Sequence, residues 1–277
     1  MKIAVISDIH GNLEALNTVL EDIKKRGIDK IYCLGDIVAK GTHQQECVDL
    51  VRSNCEVVIK GNCDEYYSRP SIPEDKSDTE KMRFNWNTNK INDDSKSYLQ
   101  GLPFCHEFYL SGRLVRLIHA TPTSIDGFVG GIDTLENLYS LFLPSENTIS
   151  ESKADILIYG HIHNPFVQKL YNRYIINAGS VGNPIDVFRN PDKDADARFT
   201  TVANYLILDG NLDSKDVNDS ISYELVSVPY DIEKELASNT DNIEFDSYKV
   251  ELKEGKYRDM AKIYRSFELR GIDKDKI

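Results

Sequence analysis

In the first 60 residues, short β-branched runs alternate with stretches whose apolar residues recur at helical spacing. This alternation restricts the chain to a largely parallel sheet covered by helices. Lys2 to Ser7 is extended in pattern and ends at Asp8. Asn12 then opens a helix with Leu13, Leu16, Leu20 and Ile23 along one face, and Arg26-Gly27 closes it. Lys30 to Leu34 reads as a second strand, Gln44 to Arg52 as a second helix and Glu56 to Ile59 as a third strand. In such sheets functional groups gather in the loops beyond the carboxyl ends of the strands. Asp8, Gly35-Asp36 and Gly61-Asn62 fall there.

Residues 68–102 turn polar, with helical stretches at Thr79 to Thr88 and Asp94 to Leu99, and read as a helical excursion over the sheet. A strand-rich half follows: Phe104 to Leu110, Leu114 to His119, Asp155 to Tyr159, Phe166 to Leu170, Tyr174 to Ile176, Ala203 to Leu208 and Ile221 to Val228. Its spacing suggests antiparallel pairing. Residues 189–198 and 209–219 read as surface loops, and the chain beyond Pro229 is helical and charged. The organisation expected is one domain over 1–228 with a helical extension, 229–277, packed on it.

At 277 residues the chain can bury a full core without staples. It carries 33 Lys+Arg against 45 Asp+Glu, a formal charge of −12 with no basic run, which argues against binding a nucleic acid duplex. Met1 to Ile6 is too short for a signal peptide, and no run approaches a membrane span. Five cysteines without a C-x-x-C pair read as reduced thiols. The expected location is cytoplasmic.

Histidine is scarce, six in all, and four of the six sit in chemical company. In order, the blocks are Asp8-Ile9-His10, Gly35-Asp36, Gly61-Asn62-Cys63-Asp64, His119 and Gly160-His161-Ile162-His163. In extended chain, residues two apart point to one side, so Asp-x-His and His-x-His each present two ligands together. Imidazole and carboxylate without thiol suit borderline divalent metals such as Mn, Fe, Zn, Ni or Co. The seven candidates Asp8, His10, Asp36, Asn62, His119, His161 and His163 are too many for one ion. They suit two ions roughly 3.5 to 4 Å apart sharing a carboxylate, for which Asp36 is the candidate. Each block alone is weak, a lone Gly-Asp being more often a turn, whereas together at expected strand ends they are specific.

This ordered set resembles the calcineurin-like metallophosphoesterase superfamily, whose pattern is D-x-H, G-D, G-N-H-[DE], H and G-H-x-H. Asn177-Ala178-Gly179-Ser180-Val181-Gly182 is similar to a stretch of its bacterial branch, and Pro229-Tyr230-Asp231 resembles relatives of diadenosine tetraphosphatase. The resemblance runs from about Lys2 to Asp209. It implies a four-layer α/β/β/α sandwich with two mixed sheets. It also implies one metal on Asp8, His10, Asp36 and His163, a second on Asp36, Asn62, His119 and His161, and a hydroxide nucleophile bridging them. Asn62, Asp64 and His161 are the expected catalytic group, with Asp64 orienting its neighbours rather than reacting.

Many family members carry histidine after the Asn, to protonate the leaving oxygen, and Cys63 stands there instead. Without that acid, leaving groups that need little protonation are favoured. Protein phosphatases of the superfamily carry Asp-Arg where Ala39-Lys40 stands. The expected substrate is therefore a small phosphorylated molecule, a nucleotide and specifically a dinucleoside polyphosphate. Behind it come a cyclic or aryl phosphodiester, then a phosphoprotein. A non-catalytic scaffold like the small retromer subunit comes last, because no ligand position is vacant. Lys40, Asn62, Arg69, Asn183 and Arg189 are candidate phosphate contacts, and Tyr66, Tyr67 and Phe128 could stack on a nucleobase.

Overall fold

The computed structural model describes residues 1–187, 201–269 and 271–272. Arg189 and the charged loop expected over 189–198 lie outside the described residues.

The chain opens with β1 (Lys2–Ile6), α1 (Leu13–Lys25), β2 (Lys30–Cys33), α2 (Gln44–Asn54) and β3 (Val57–Val58), the strands pairing in parallel. The Asn12 side chain caps α1 by accepting from the Ala15 N–H. Glu14 in its first turn and Lys24 and Lys25 in its last complement the helix dipole. Three short helices follow, α3 (Asn62–Tyr67), α4 (Asp78–Thr88) and α5 (Asp93–Gly101). The last two form the expected excursion. α3 is additional, and it begins on Asn62 itself.

A second sheet is built from β4 (Cys105–Leu110), β5 (Arg113–Ile118), β6 (Ile156–Tyr159), β7 (Phe166–Leu170) and β8 (Arg173–Asn177), with α6 (Leu135–Ser140) between β5 and β6. The chain then returns to the first sheet as β9 (Ala203–Asp209) and β10 (Ser222–Val228). The sheet orders are β10-β9-β1-β2-β3 and β4-β5-β6-β8-β7, each mixing parallel and antiparallel pairs.

Strand alternation explains the layering. Ile3 and Val5 point into the same core as Leu117, Ile158 and Ile176 of the other sheet, while Ala4 and Ile6 point to the opposite face, against Leu16 and Val19 of α1. Leu157 and Ile175 line the outer face of the second sheet with Leu138 of α6. The result is two mixed sheets packed face to face and flanked by helices. Each fully buried Leu or Ile contributes roughly 1.5 to 3 kcal/mol to that packing.

The end of the chain forms α7 (Ile232–Ser238), α8 (Phe245–Glu254) and α9 (Met260–Leu269). α7 packs on α1, whereas Ile263 of α9 joins the core on the outer face of the second sheet, so this segment spans from one side of the sandwich to the other. Among the described residues no helix is long and apolar enough to cross a membrane.

Candidate metal centre

The loops after β1, β2, β3, β5 and β6 meet at one end of the sandwich. There the structure brings together Asp8, His10 and His163 as one group of candidate ligands, and Asp36, His119 and His161 as another. Asp36 lies between them: its Oδ2 is 3.7 Å from His10 Nε2 and its Oδ1 is 3.5 Å from His119 Nε2. Asn62 Oδ1 sits 3.0 Å from His119 Nε2.

The local backbone differs from the extended geometry expected of Asp-x-His and His-x-His. Asp8, His10, Asp36, His161 and His163 all have φ between 51° and 67°, the left-handed region that non-glycine residues seldom adopt. Convergence is thus produced by tight turns, held by backbone bonds such as Asp8 N–H to Gly35 O and His10 N–H to Asp36 O. Such strain persists where its surroundings over-determine it. Two glycines are needed for close approach: a Cβ on Gly61 would collide with Asp36, and one on Gly160 with Ser7 and Asp8.

The donor set fits divalent ions. His10, His119 and His163 each direct Nδ1 to a backbone carbonyl, of Val38 (3.2 Å), Leu34 (2.8 Å) and Asn183 (2.5 Å), leaving Nε2 free to ligate. In neutral rings, His10 Nε2 and His163 Nε2 then face each other as lone pairs 3.1 Å apart. Asp8 Oδ2 accepts from Ser7 Oγ and the His161 N–H, but its buried Oδ1 has no hydrogen-bond partner and lies 3.2 Å from His163 Nε2. Unshared electron pairs converging in a buried site call for a cation.

The electrostatics agree. Burial, then Lys40, pushes His10 down to about 3, and burial, then His119, pushes His161 down to about 4, so both rings are neutral at pH 7, the form able to ligate. Burial disfavours charge on Asp8 and Asp36, but His163 beside the first and His119 beside the second hold both carboxyls well below their usual range. Burial likewise disfavours a charged His119, yet Asp36 outweighs it and raises that imidazole to about 9. A metal ion would compete for the lone pair that this proton occupies.

Asp64 is fully buried. It accepts from the N–H groups of Asp36, Ile37, Val38 and Gly61, at 2.8 to 3.3 Å, and so fixes the loop that carries Asp36. Burial, then Asp36, raises its carboxyl to about 7 despite these donors.

His10, Asp36, Asn62, His161 and His163 form the floor of a cavity of about 430 Å³, also lined by Lys40, Cys63, Asp126 and Phe128. Lys40 Nζ donates to Asn183 Oδ1 at 2.5 Å and lies 3.6 Å from Glu251 Oε2. Asn183 is fully buried and supports Lys40 and His163 from behind. Arg69 pairs with Glu65 outside the cavity, and Tyr66 and Tyr67 pack around Phe84 in the core. Burial, then Asp36, pushes the Cys63 thiol well above its ordinary value, so it is a neutral S–H. The sequence pattern missed Glu251 of α8, Ile263 of α9 and Tyr257 of the connection between them, which reach this site from the end of the chain. Nothing in a motif marks them.

The family model for the calcineurin-like phosphoesterase superfamily domain matches residues 1–193. An uncharacterized protein of Methanocaldococcus jannaschii is 34% identical over 257 residues, covering 84% of this chain and 89% of that protein. Among solved structures, a metallophosphoesterase from Sphaerobacter thermophilus superposes with a TM-score of 0.66 at 24% identity, over 92% of this chain and 100% of the other. A hypothetical protein from Pyrococcus horikoshii gives the same TM-score at 20% identity, over 92% and 99%.

Proposed function

The chain belongs to the calcineurin-like phosphoesterase superfamily, a family of dimetal-dependent hydrolases, and from that premise we propose that it hydrolyses a phosphoanhydride or phosphodiester in a small, nucleotide-like substrate. In this reading Asp8, His10, Asp36 and His163 hold one ion, and Asp36, Asn62, His119 and His161 the other. The observation that carries it is Asp36, whose two oxygens face two separate clusters of imidazole nitrogens at the floor of one cavity. Two divalent ions held there supply Lewis acidity and a water acidified toward neutrality.

The chain's own groups do the rest. Lys40 attracts the phosphate and the Asn62 amide donates to a phosphoryl oxygen, both from the cavity lining. Asn183 holds Lys40 and His163 in place, and Asp64 holds the Asp36 loop. Cys63 occupies the place of the usual proton donor with a thiol too weakly acidic for that work, which favours leaving groups that depart as stable anions. A nucleotide phosphate and an aryl oxide both qualify, and an alkoxide does not.

The dinucleoside polyphosphate expected from the sequence meets this leaving-group rule. A second reading, an aryl phosphodiester, is favoured by charge: Lys40 is the one Lys or Arg lining the cavity among the described residues, and it is already paired with Glu251. The test supplies manganese-loaded protein with diadenosine tetraphosphate and with bis(4-nitrophenyl) phosphate, and separates products by ion exchange. AMP plus ATP supports asymmetric anhydride cleavage, and two ADP symmetric cleavage. Cleavage of the diester alone replaces the substrate, and inertness toward both discards the reading.

A further inference from the structure

The cavity has two unlike halves. Beside the candidate metal ligands, five apolar side chains line it, the half-buried Phe128 and Tyr257 and the buried Ile185, Val187 and Ile263. Tyr257 and Ile263 lie beyond residue 193, where the family match ends. A phosphate group and its metal ions gain nothing from such a surface. The apolar area still open, chiefly on the two rings, gains when other apolar area covers it, at roughly 25 cal/mol per Å².

This wall is tied to the floor by a continuous set of polar contacts. His163 Nδ1 meets Asn183 O, and Asn183 Nδ2 donates to Glu251 Oε2 at 3.1 Å. The entirely buried Glu251 carboxylate receives the Arg258 guanidinium as a fork, Nε to Oε1 at 2.7 Å and Nη2 to Oε2 at 3.0 Å. Arg258 also pairs with Glu244 at 2.9 Å. Tyr257, next in the chain to Arg258, is therefore held at a set distance from the metal ligands, its ring centroid 5.7 Å from Lys40 Nζ. Ile263 is fixed by packing in one core cluster with Ile185 and Val187. A wall positioned before a ligand arrives loses little entropy when one binds.

Charge narrows the occupant further. Glu251 offsets the Lys40 ammonium and Asp126 adds a carboxylate to the rim, so the wall side does not attract a second phosphate. We propose that Phe128, Ile185, Val187, Tyr257 and Ile263 form a subsite for a flat aromatic group carried on the scissile phosphate, and that Tyr257 from the C-terminal extension sets the preference for it. This rests on reading the floor as phosphate-binding.

The test uses phosphonates, which present one dianionic head with different organic groups and are not hydrolysed. Calorimetric titration of the full-length, manganese-loaded chain is expected to show phenylphosphonate binding at least about tenfold tighter than methylphosphonate. That ratio should fall toward one in Tyr257→Ala and in Phe128→Ala, which truncate the two half-buried rings of the wall, and should persist in Tyr257→Phe. Comparing AMP with ribose 5-phosphate identifies the aromatic group: a preference for AMP that Tyr257→Ala removes assigns a nucleobase, and a preference confined to phenylphosphonate assigns an aryl ester. Equal affinity for the two phosphonates, or a ratio that survives both alanine variants, overturns the subsite while leaving the phosphate reading intact. Binding of neither phosphonate overturns both.

Discussion

The floor and the wall of the cavity come from different parts of the chain and are held by different means. The floor is drawn from loops at residues 8–10, 35–36, 61–64, 119 and 160–163, where left-handed backbone, obligatory glycines and Nδ1-to-carbonyl bonds place the candidate ligands. The wall is drawn from residues 128, 185–187 and 257–263, whose backbone lies outside the left-handed region and whose positions depend on packing and on the Glu251–Arg258 fork. Ion ligation demands atoms placed within tenths of an ångström, and so selects rare residue types in rare conformations. An apolar wall demands only volume in the right place.

The largest way to separate the two halves is to remove the group both clusters share. Asp36→Asn is expected to lower kcat by a thousandfold or more, to the order seen when charge stabilisation is lost. Metal content measured by mass spectrometry should fall below two ions per chain. Because asparagine keeps the shape of the side chain, the fold should survive, as circular dichroism would register. Full activity in this variant would sink the assignment of the floor.

Glu251 offers the next largest effect, on the other half. Burial raises its carboxyl, but Lys40 and then Arg258 outweigh burial and hold it down at about 2, against an ordinary 4.5. A folded-state value below the unfolded one stabilises the fold above pH 4.5, and that stability is lost as pH falls toward 2. The full difference is on the order of 3 kcal/mol. Glu251→Gln cannot titrate, so in urea unfolding the gap between wild type and variant should be widest at pH 7 and should close between pH 4.5 and 2. A gap independent of pH would mean that the fork does not anchor the wall.

Asp64→Ala returns to the floor with a smaller, indirect effect. Four N–H donors around Asp36 lose their acceptor. Metal affinity should weaken by about ten- to a hundredfold, as when the groups behind ligands are removed elsewhere. Equilibrium dialysis against manganese measures this directly, and unchanged affinity would show that the Asp36 loop holds its shape without the carboxylate.

What the sequence revealed follows the same division. Strand ends, glycines and paired candidate ligands marked the floor, because few residue types besides Asp and His offer the donors that Asp8, Asp36 and His163 bring together, and Gly160 must lack a Cβ. The strands were legible as short β-branched runs, Lys2 to Ser7 and Lys30 to Leu34 among them, whereas the two mixed sheets came from the family resemblance. The left-handed turns were not, since Asp and His adopt several conformations and only tertiary contact selects one. The helix beginning at Asn62 was hidden because Gly61-Asn62 reads equally as a loop. Tyr257 and Glu251 were hidden for a stronger reason: a tyrosine and a glutamate in a charged helical tail look like any others until the chain crosses the cavity.

Cys63 sits where floor and wall meet, lining the cavity and donating its backbone N–H to Asp36 Oδ1 at 2.7 Å. Its thiol is pushed too far up to lend a proton at pH 7. Cys63→His would place an imidazole there, and a positioned general acid speeds a step in proportion to how much the leaving oxygen needs its proton. Turnover of an alkyl phosphodiester should rise by about tenfold, while 4-nitrophenyl esters, whose oxide leaves unaided, should change by less than about twofold. Plotted against leaving-group pKa, rates for the variant should fall more gently than those for wild type. Parallel lines would show that some other group of the floor or wall already donates the proton, and would remove the argument that the thiol restricts this enzyme to stable leaving groups.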